Sequence, residues 1–80
     1  MEDDAYTRDT VIELLGRLSE ELRGPKAEAW ENTSALEYLD ALGRWLRACR
    51  GYYRNNFDRD PPSNAWRILY DALEAARTYE

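Results

Sequence analysis

The sequence lacks several residues and patterns on which common functions depend. Its 80 residues include no histidine, one cysteine (Cys49) and one phenylalanine, and no apolar run is long enough to cross a membrane. Without histidine and with one cysteine, the chain cannot build a structural zinc site, an intrachain disulfide or imidazole acid–base chemistry. The acidic N-terminus is not followed by the apolar stretch of a secretory signal. We therefore expect a cytoplasmic protein that holds no metal and no other cofactor.

Motifs of known enzyme classes are missing as well. The sequence has no nucleophile elbow, no glycine-rich phosphate loop and no cluster of metal ligands. Residues 55–60 alternate Asn and Asp as a calcium loop does, but Pro61 and Arg67 occupy the positions that require Gly and Glu. A chain of this size also has little room for a pocket that excludes water. We therefore predict that the protein is not an enzyme and has no catalytic residues.

The composition is typical of one small helical domain. Sixteen acidic and eleven basic residues give a net charge of −5, and 44% of the residues are apolar, which is too many for an intrinsically disordered chain. A sequence of this length forms a single domain. We predict one compact three-helix, all-α domain over residues 1–80, with residues 1–6 as a flexible acidic arm.

Three stretches have the apolar periodicity of helices, and none has the alternation of a strand. The predicted helices cover about residues 7–23, 33–51 and 63–79, and the second has the widest apolar face, which suits a central helix. The predicted core consists of twelve residues on these apolar faces: Val11, Leu14, Leu15, Leu18, Leu22, Leu39, Leu42, Trp45, Leu46, Trp66, Leu69 and Leu73.

Local signals mark the predicted helix starts. Thr7 is a good N-cap for the first helix, and Ser34 with Glu37 has the spacing of a capping box. Ser63 or Asn64 caps the third helix, directly after two prolines. Caps of this kind fix where a helix begins.

Glycines mark the predicted helix ends. Gly24, followed by Pro25, suits a left-handed cap after the first helix. Gly51 is expected to end the second helix, so that residues 52–62 form a polar loop. Gly16 and Gly43 lie inside helices, where we expect close approach of a neighbouring helix.

Aromatic residues supply the predicted contact surface. The chain has three Trp and six Tyr, residue types that are enriched at the centres of protein interfaces. The three Trp lie on or beside apolar helix faces and are expected in the core, whereas residues 52–57 lie at a helix end and in a loop, where binding residues concentrate. The predicted partner-binding residues are Tyr52, Tyr53, Arg54, Asn55 and Phe57, supported by Trp30, Glu31 and Asn32. A place in the core stays open for Trp30, Tyr52 and Tyr53.

A stripe of arginines indicates an alternative. Arg44, Arg47, Arg50 and Arg54 share one face if the second helix persists, and arginines interleaved with aromatic residues can bind single-stranded nucleic acid. The acidic balance of the whole chain and the absence of a known nucleic-acid motif make this the weaker interpretation. Pairing of Asp40 with Arg44 at i,i+4 would explain part of the stripe without any ligand.

Several segments together resemble a known family. They are Trp30-Glu31-Asn32, Leu39, Leu42, Trp45, residues 51–55 (Gly-Tyr-Tyr-Arg-Asn), Trp66 and residues 75–80 (Ala-Ala-Arg-Thr-Tyr-Glu). The combination resembles small acidic bacterial domains of unknown function, found mostly in actinobacteria, over about residues 7–80. Thr33-Ser34 departs from that pattern, which has a proline near this helix start. The resemblance implies a compact helical domain and no known activity, so it brings no functional residues.

These observations favour a non-catalytic protein-binding module. In its sharper form, by analogy with bacterial immunity proteins and antitoxins, the acidic first helix would neutralise a basic partner. The alternatives are a nucleic-acid-binding regulator that uses the arginine stripe and a self-associating structural protein, so a homodimer stays open. No membrane partner is expected.

Overall fold

Helices and short 3-10 turns form most of the chain. The structure is a computed structural model that describes residues 2–80, and for Glu2 it describes the backbone alone. It has a 3-10 turn at Glu2–Ala5, helix α1 at Arg8–Arg23, a second 3-10 turn at Pro25–Ala29, helix α2 at Ala35–Phe57 and helix α3 at Ala65–Ala75. No strand occurs within residues 2–80, so the all-α prediction is confirmed. None of the described helices has the length and apolarity that a membrane crossing requires.

The predicted N-caps lie where the sequence placed them. The Thr7 side chain caps α1, and Ser34 and Glu37 form a capping box in which the Glu37 N–H donates to Ser34 Oγ at 3.1 Å. Asn64 rather than Ser63 caps α3, because its side chain accepts from the Trp66 N–H at 3.0 Å. Each such cap stabilises its helix by about 1 kcal/mol.

The prediction that α2 ends at Gly51 is wrong. The helix continues to Phe57 and ends at Asp58, which adopts the left-handed conformation (φ 51°) and donates its N–H to the Arg54 carbonyl. A glycine inside a helix costs about 1 kcal/mol, but the residues that follow it pack into the core and outweigh that cost. Tyr53 is fully buried there.

Two other predicted ends also differ. Gly24 has φ −122° rather than a left-handed conformation, and Pro25 begins a 3-10 turn directly after it. The last helix stops at Ala75 instead of residue 79. Residues 76–78 form turns beyond this end, and the Arg77 carbonyl accepts bonds from the N–H groups of residues 31 and 32.

Helix α3, and not α2, is the central helix. Its extensive contacts are with both α1 and α2, whereas those two helices have little contact with each other. Leu73 joins the core cluster of α1, and Ala72 joins the cluster of α2, which contains Trp45 and Tyr53. Ala72 and Ala76 are fully buried, and such small side chains let helices approach closely.

The prediction for the core holds for about half of its residues. Val11, Leu14, Leu18, Trp45 and Leu73 are buried, and Leu42 and Leu69 are half-buried. The prediction is wrong for five residues that are exposed: Leu15, Leu22, Leu39, Leu46 and Trp66. One short central helix covers only part of each longer apolar face, so the remaining apolar side chains stay in solvent.

The N-terminal arm, which the sequence predicts to be flexible, packs against α3 in the structure. Asp3 forms ion pairs with Arg67 at 2.8 Å and Arg59 at 3.1 Å. The Asn64 side-chain amide donates to the carbonyls of Asp3 and Tyr6. Met1, also assigned to the predicted arm, lies outside the described residues.

A second anchor lies at the opposite end of α3. The backbone N–H groups of Glu31 and Asn32 donate to the Arg77 carbonyl at 2.9 and 3.0 Å. The Asn32 side-chain amide donates to the carbonyls of Ala76 and Tyr79, both at 2.9 Å. This segment therefore satisfies carbonyls that the end of α3 would otherwise leave unpaired.

Glu21 connects the same anchor to α1. Its Oε1 accepts from the Trp30 indole N–H at 3.0 Å and from Arg77 at 3.3 Å, and its Oε2 pairs with Arg17 at 3.2 Å. The Trp30 hydrogen bond lowers the pKa of the Glu21 carboxyl, partial desolvation opposes that shift, and Arg77 adds to the lowering, so the pKa lies below its usual 4.5.

We predict that Asn32→Ala destabilises the fold by about 1–3 kcal/mol, because two carbonyls at the end of α3 lose their donors. The free energy of unfolding from urea titrations measures this loss. Asn55→Ala is the matched control, since Asn55 is exposed and its side chain forms no hydrogen bond with a described residue; we expect a change within about 0.5 kcal/mol. Equal effects from both variants would show that Asn32 does not anchor the helix.

We predict that Glu21→Gln reduces the loss of stability in acid. A carboxyl whose pKa is lowered by folding contributes stability above its unfolded pKa, here 4.5, and loses it as the pH falls through the lower folded-state value. Urea titrations from about pH 6 to about pH 3 should therefore give a shallower slope for this variant. An unchanged slope for Glu21→Gln would contradict the assignment.

Candidate protein-binding face

Two of the predicted contact residues are part of the core. Trp30 is 7% exposed and packs among the buried residues of α1, stacked on Tyr38 at 5.7 Å between ring centres. Tyr53 is 0% exposed, and its hydroxyl donates to Asp71 Oδ2 at 2.7 Å. Burial and the hydrogen bond to Asp71 raise the pKa of the Tyr53 phenol far above its usual value, so the hydroxyl remains a donor. Neither side chain is available to a partner in this structure.

The neighbouring predicted contact residues mostly contact one another. Tyr52 is half-buried, 5.2 Å from the Trp45 ring centre and 5.9 Å from that of Phe57. Arg54 forms an ion pair with Asp60 at 2.9 Å. The structure thus brings the aromatic residues together as an internal ring cluster at the end of α2. It leaves only the outer side of the cluster exposed.

Of the remaining predicted contact residues, one holds the fold together and two are exposed to solvent. Asn32 is engaged in the anchor at the end of α3. Asn55 is exposed. Glu31 is exposed beside Glu80, and this close carboxylate raises the pKa of the Glu31 carboxyl. These residues do not converge with the ring cluster on one surface.

A cleft near the N-terminal arm has no free charge to offer a ligand. The cleft measures about 560 Å³ and is lined in part by Tyr6, Phe57 and Arg67. The Arg67 guanidinium lies 5.1 Å from the Tyr6 ring centre and 5.3 Å from that of Phe57. Ion pairs with Asp3 at 2.8 Å and Asp71 at 3.3 Å balance its charge. The arrangement stabilises the arm and does not provide an anion site.

An apolar groove lies between the C-terminal half of α1 and the start of α2. Its volume is about 360 Å³, and its apolar walls include Leu15, Leu22, Trp30 and Tyr38. Its polar lining comes from residues 32–34 at one end and from Ser19 of α1. The groove exists because both helices pack on α3 and leave their opposite sides uncovered.

Large apolar side chains extend this groove along both helices. Ile12, Leu15 and Leu22 share one side of α1, and Leu36, Leu39 and Leu46 share one side of α2, because spacings of three, four and seven place residues on one helix face. Each is between 40% (Leu46) and 71% (Leu36) exposed. We call this surface the open face: Ile12, Leu15, Ser19, Leu22, Leu36, Leu39, Gly43 and Leu46.

Gly43 creates a hole in the α2 part of the open face. A side chain at this position would meet no atom of the chain within 4 Å, so the predicted close approach of a neighbouring helix is wrong for Gly43, and equally for Gly16. An open depression of about 330 Å³ at Gly43 is lined by Leu39, Asp40, Arg44 and Arg47. No contact within residues 2–80 explains why this helix interior tolerates the cost of glycine, about 1 kcal/mol.

Unpaired charges of opposite sign flank the open face. Arg44, Arg47 and Arg50 on α2 form no ion pair with a described residue, so the predicted Asp40–Arg44 pair is not formed. Continuation of α2 to Phe57 places all of these arginines on one uninterrupted helix. On α1, Asp9 and Glu13 also lack an ion pair within residues 2–80. The acidic excess of the chain therefore does not extend to α2, which is locally basic.

The overall dimensions reflect the uncovered surface. The molecule extends over 34 × 26 × 18 Å, and its radius of gyration is 12.9 Å, against about 11.6 Å for a compact domain of this length. Sequence reasoning missed the open face, although a signal was present. The number of leucines at helical spacing exceeds what three short helices can bury between them.

Comparison with known proteins adds a family and no activity. Among the described residues, no group of three or more His, Cys, Asp or Glu side chains could hold a metal ion. No curated protein and no solved structure matches the chain. A family model described as a family of unknown function (DUF7660) matches residues 7–80, the same span as the resemblance noted in the sequence. The chain therefore belongs to the DUF7660 family of unknown function.

Proposed function

We propose that this chain is a non-catalytic protein-binding module and that the open face is its contact surface. The observation that carries the proposal is the set of six large apolar side chains on α1 and α2 that stay 40–71% exposed, of which Leu15 and Leu22 line the groove. Single exposed leucines are common on monomeric proteins, but contiguous exposed apolar surface is typical of an interaction site.

The energetics favour an occupant of this surface. Burial of a leucine side chain that is about half exposed stabilises a complex by roughly 1 kcal/mol. Six such side chains, with the groove between them, supply enough apolar contact for the centre of an interface. The arginines and carboxylates around them would form its polar rim.

The shape of the surface indicates the kind of segment it binds. Two helices with a groove between them accept the apolar side of a third helix, whose anchors recur at i, i+3 and i+7. Such a helix would lie opposite α3 and complete a four-helix arrangement. The predicted partner is therefore a protein that presents an amphipathic helix.

The acidic flank of α1 supports the immunity-like form of this proposal. Asp9 and Glu13 lie beside the open face without ion pairs to described residues, so they are available to a basic partner. In a bacterial chain, which the resemblance implies, neutralisation of a basic toxin would use this side of the surface.

We predict that Leu15→Glu combined with Leu39→Glu abolishes partner binding without unfolding the protein. Both side chains are already exposed, so the melting temperature should change little, whereas two carboxylates in an apolar interface would be desolvated without partners. The measurement is capture of tagged protein from nuclease-treated native lysate, with quantitative mass spectrometry of the retained proteins.

Ala48→Glu is the control for this experiment, because Ala48 is exposed on α2 and lies off the open face. The control should retain the same stoichiometric partner as the wild type. Retention that weakens with added salt would favour the basic partner. A partner that the double variant retains as well as the wild type does would show that the open face is not the contact surface.

A second candidate function is nucleic-acid binding by the unpaired arginines of α2. Its specific support is that Arg44, Arg47 and Arg50 lie on one exposed helix without acidic partners in residues 2–80. An acidic net charge opposes it, because binding to phosphates draws on attraction over the whole molecule.

If the second candidate holds, Arg47→Glu with Arg50→Glu abolishes a gel shift of single-stranded nucleic acid at low salt. The wild-type affinity should fall steeply as salt rises, because each phosphate contact releases counterions. Arg8→Glu is the matched control, since Arg8 is exposed on α1 and also forms no ion pair with a described residue. Absence of a shift with the wild-type protein at low salt would eliminate this function.

A further inference from the structure

We infer that the open face binds a second copy of this chain, with α1 of each protomer lying antiparallel against α2 of the other. The inference rests on the proposed role of the open face as a contact surface, and it names the occupant. Three features of the described residues carry it: the spacing of the apolar side chains, their sizes and the surrounding charges.

The apolar side chains of the two helices have the same spacing. On α1 the exposed positions are Ile12, Leu15, Ser19 and Leu22, and on α2 they are Leu36, Leu39, Gly43 and Leu46. Both series advance by three, four and three residues, which is the spacing of side chains that interlock between two packed helices. Each series has a small residue at its third position.

Antiparallel alignment makes the sizes complementary. With Ile12 opposite Leu46, the same register places Leu15 opposite Gly43 and Ser19 opposite Leu39. The Leu15 side chain then lies over Gly43, at the edge of the depression of about 330 Å³, and a large side chain meets a small one at both central positions. Glycine at this position, which has no explanation within the chain, becomes the socket for a partner side chain.

Parallel alignment would not pair large side chains with small ones. It would place Ser19 opposite Gly43, so that two small residues face each other and leave a gap. The leucines on either side would face leucines of equal size. Gaps of this kind forfeit contact energy because no atom fills them. The sizes therefore favour the antiparallel arrangement.

The charges favour the same arrangement. In the antiparallel register the acidic first half of α1 lies along the basic second half of α2, so that Glu13 comes within reach of Arg44 and Arg47, and Asp9 of Arg50. None of these five residues has an ion pair with a described residue of its own chain.

The antiparallel register also has one unfavourable pair of charges, because Arg8 lies opposite Arg50 of the other copy. The sizes therefore select the direction, and the acidic–basic pairs add to it.

A two-fold axis gives both copies the same contacts. If α1 of one protomer covers α2 of its partner, symmetry places α1 of the partner on α2 of the first, so every contact occurs twice and the assembly closes as a dimer. The four helices form one bundle, and each α3 lies on its outside. No part of the open face is left to bind a third copy.

Sedimentation equilibrium of the full chain tests the inference, with loading from low micromolar to near-millimolar concentration. We expect wild-type protein to approach twice the chain mass of 9.4 kDa. Glu13→Arg and Arg47→Glu should each weaken the dimer about tenfold, because either change places like charges together at two symmetric positions. The combined variant, with the charges exchanged, should recover most of the wild-type affinity. Ala48→Glu is the control and should leave the dimer unchanged.

Two results would overturn the inference. The first is a wild-type chain that stays monomeric at every concentration. If Leu15→Glu with Leu39→Glu still abolished capture of a different protein, the open face would remain a contact surface, but with another occupant. A dimer that the combined charge exchange fails to restore would overturn the antiparallel placement, because a merely structural defect of the single variants would also persist in the combination. Circular dichroism of each variant verifies that it remains helical.

Discussion

The packing of α3 against both longer helices determines the rest of the structure. Its 11 residues span about 16 Å, whereas the 23 residues of α2 span about 34 Å. Ala72 and Ala76 allow close approach on this helix, and Leu73 fills the space toward α1. A helix of this length can cover one side of each neighbour and no more. The uncovered sides of α1 and α2 are therefore a direct consequence of the size of α3.

Polar anchors at the two ends of α3 hold this arrangement in place. At one end, Asp3 and the buried Arg67 attach the N-terminal arm. At the other end, Trp30 and Asn32 connect Glu21 of α1 to the last carbonyls of α3. Many of the residues that carry the family resemblance serve these anchors and the ring cluster of α2. The residues that carry the resemblance therefore hold the domain together, and most residues of the open face are not among them.

Local chemistry made the helix starts predictable, whereas the burial of individual side chains could not be predicted from the sequence. Thr7 and Ser34 cap their helices through bonds to residues three positions away, so the sequence alone reveals them. Leu39 and Trp45 look equivalent by periodicity, yet only Trp45 faces α3. The position of a third helix decides which is buried, and that is a long-range property. For the same reason Trp30 and Tyr53, predicted as contact residues, belong to the core. Conversely, Leu15, Leu22, Leu39 and Leu46, predicted in the core, belong to the candidate contact surface.

The central claim is that the uncovered side of α1 and α2 is an interface. Its most direct test is an isotope-filtered NOE experiment on a concentrated mixture of carbon-13-labelled and unlabelled protein, which detects only contacts between different molecules. The account predicts intermolecular contacts between the methyl groups of Leu15 and the α-protons of Gly43, and between Leu22 and Leu36. Contacts confined to residues off the open face, such as Trp66, or no intermolecular contact at any concentration, would contradict the self-association described here.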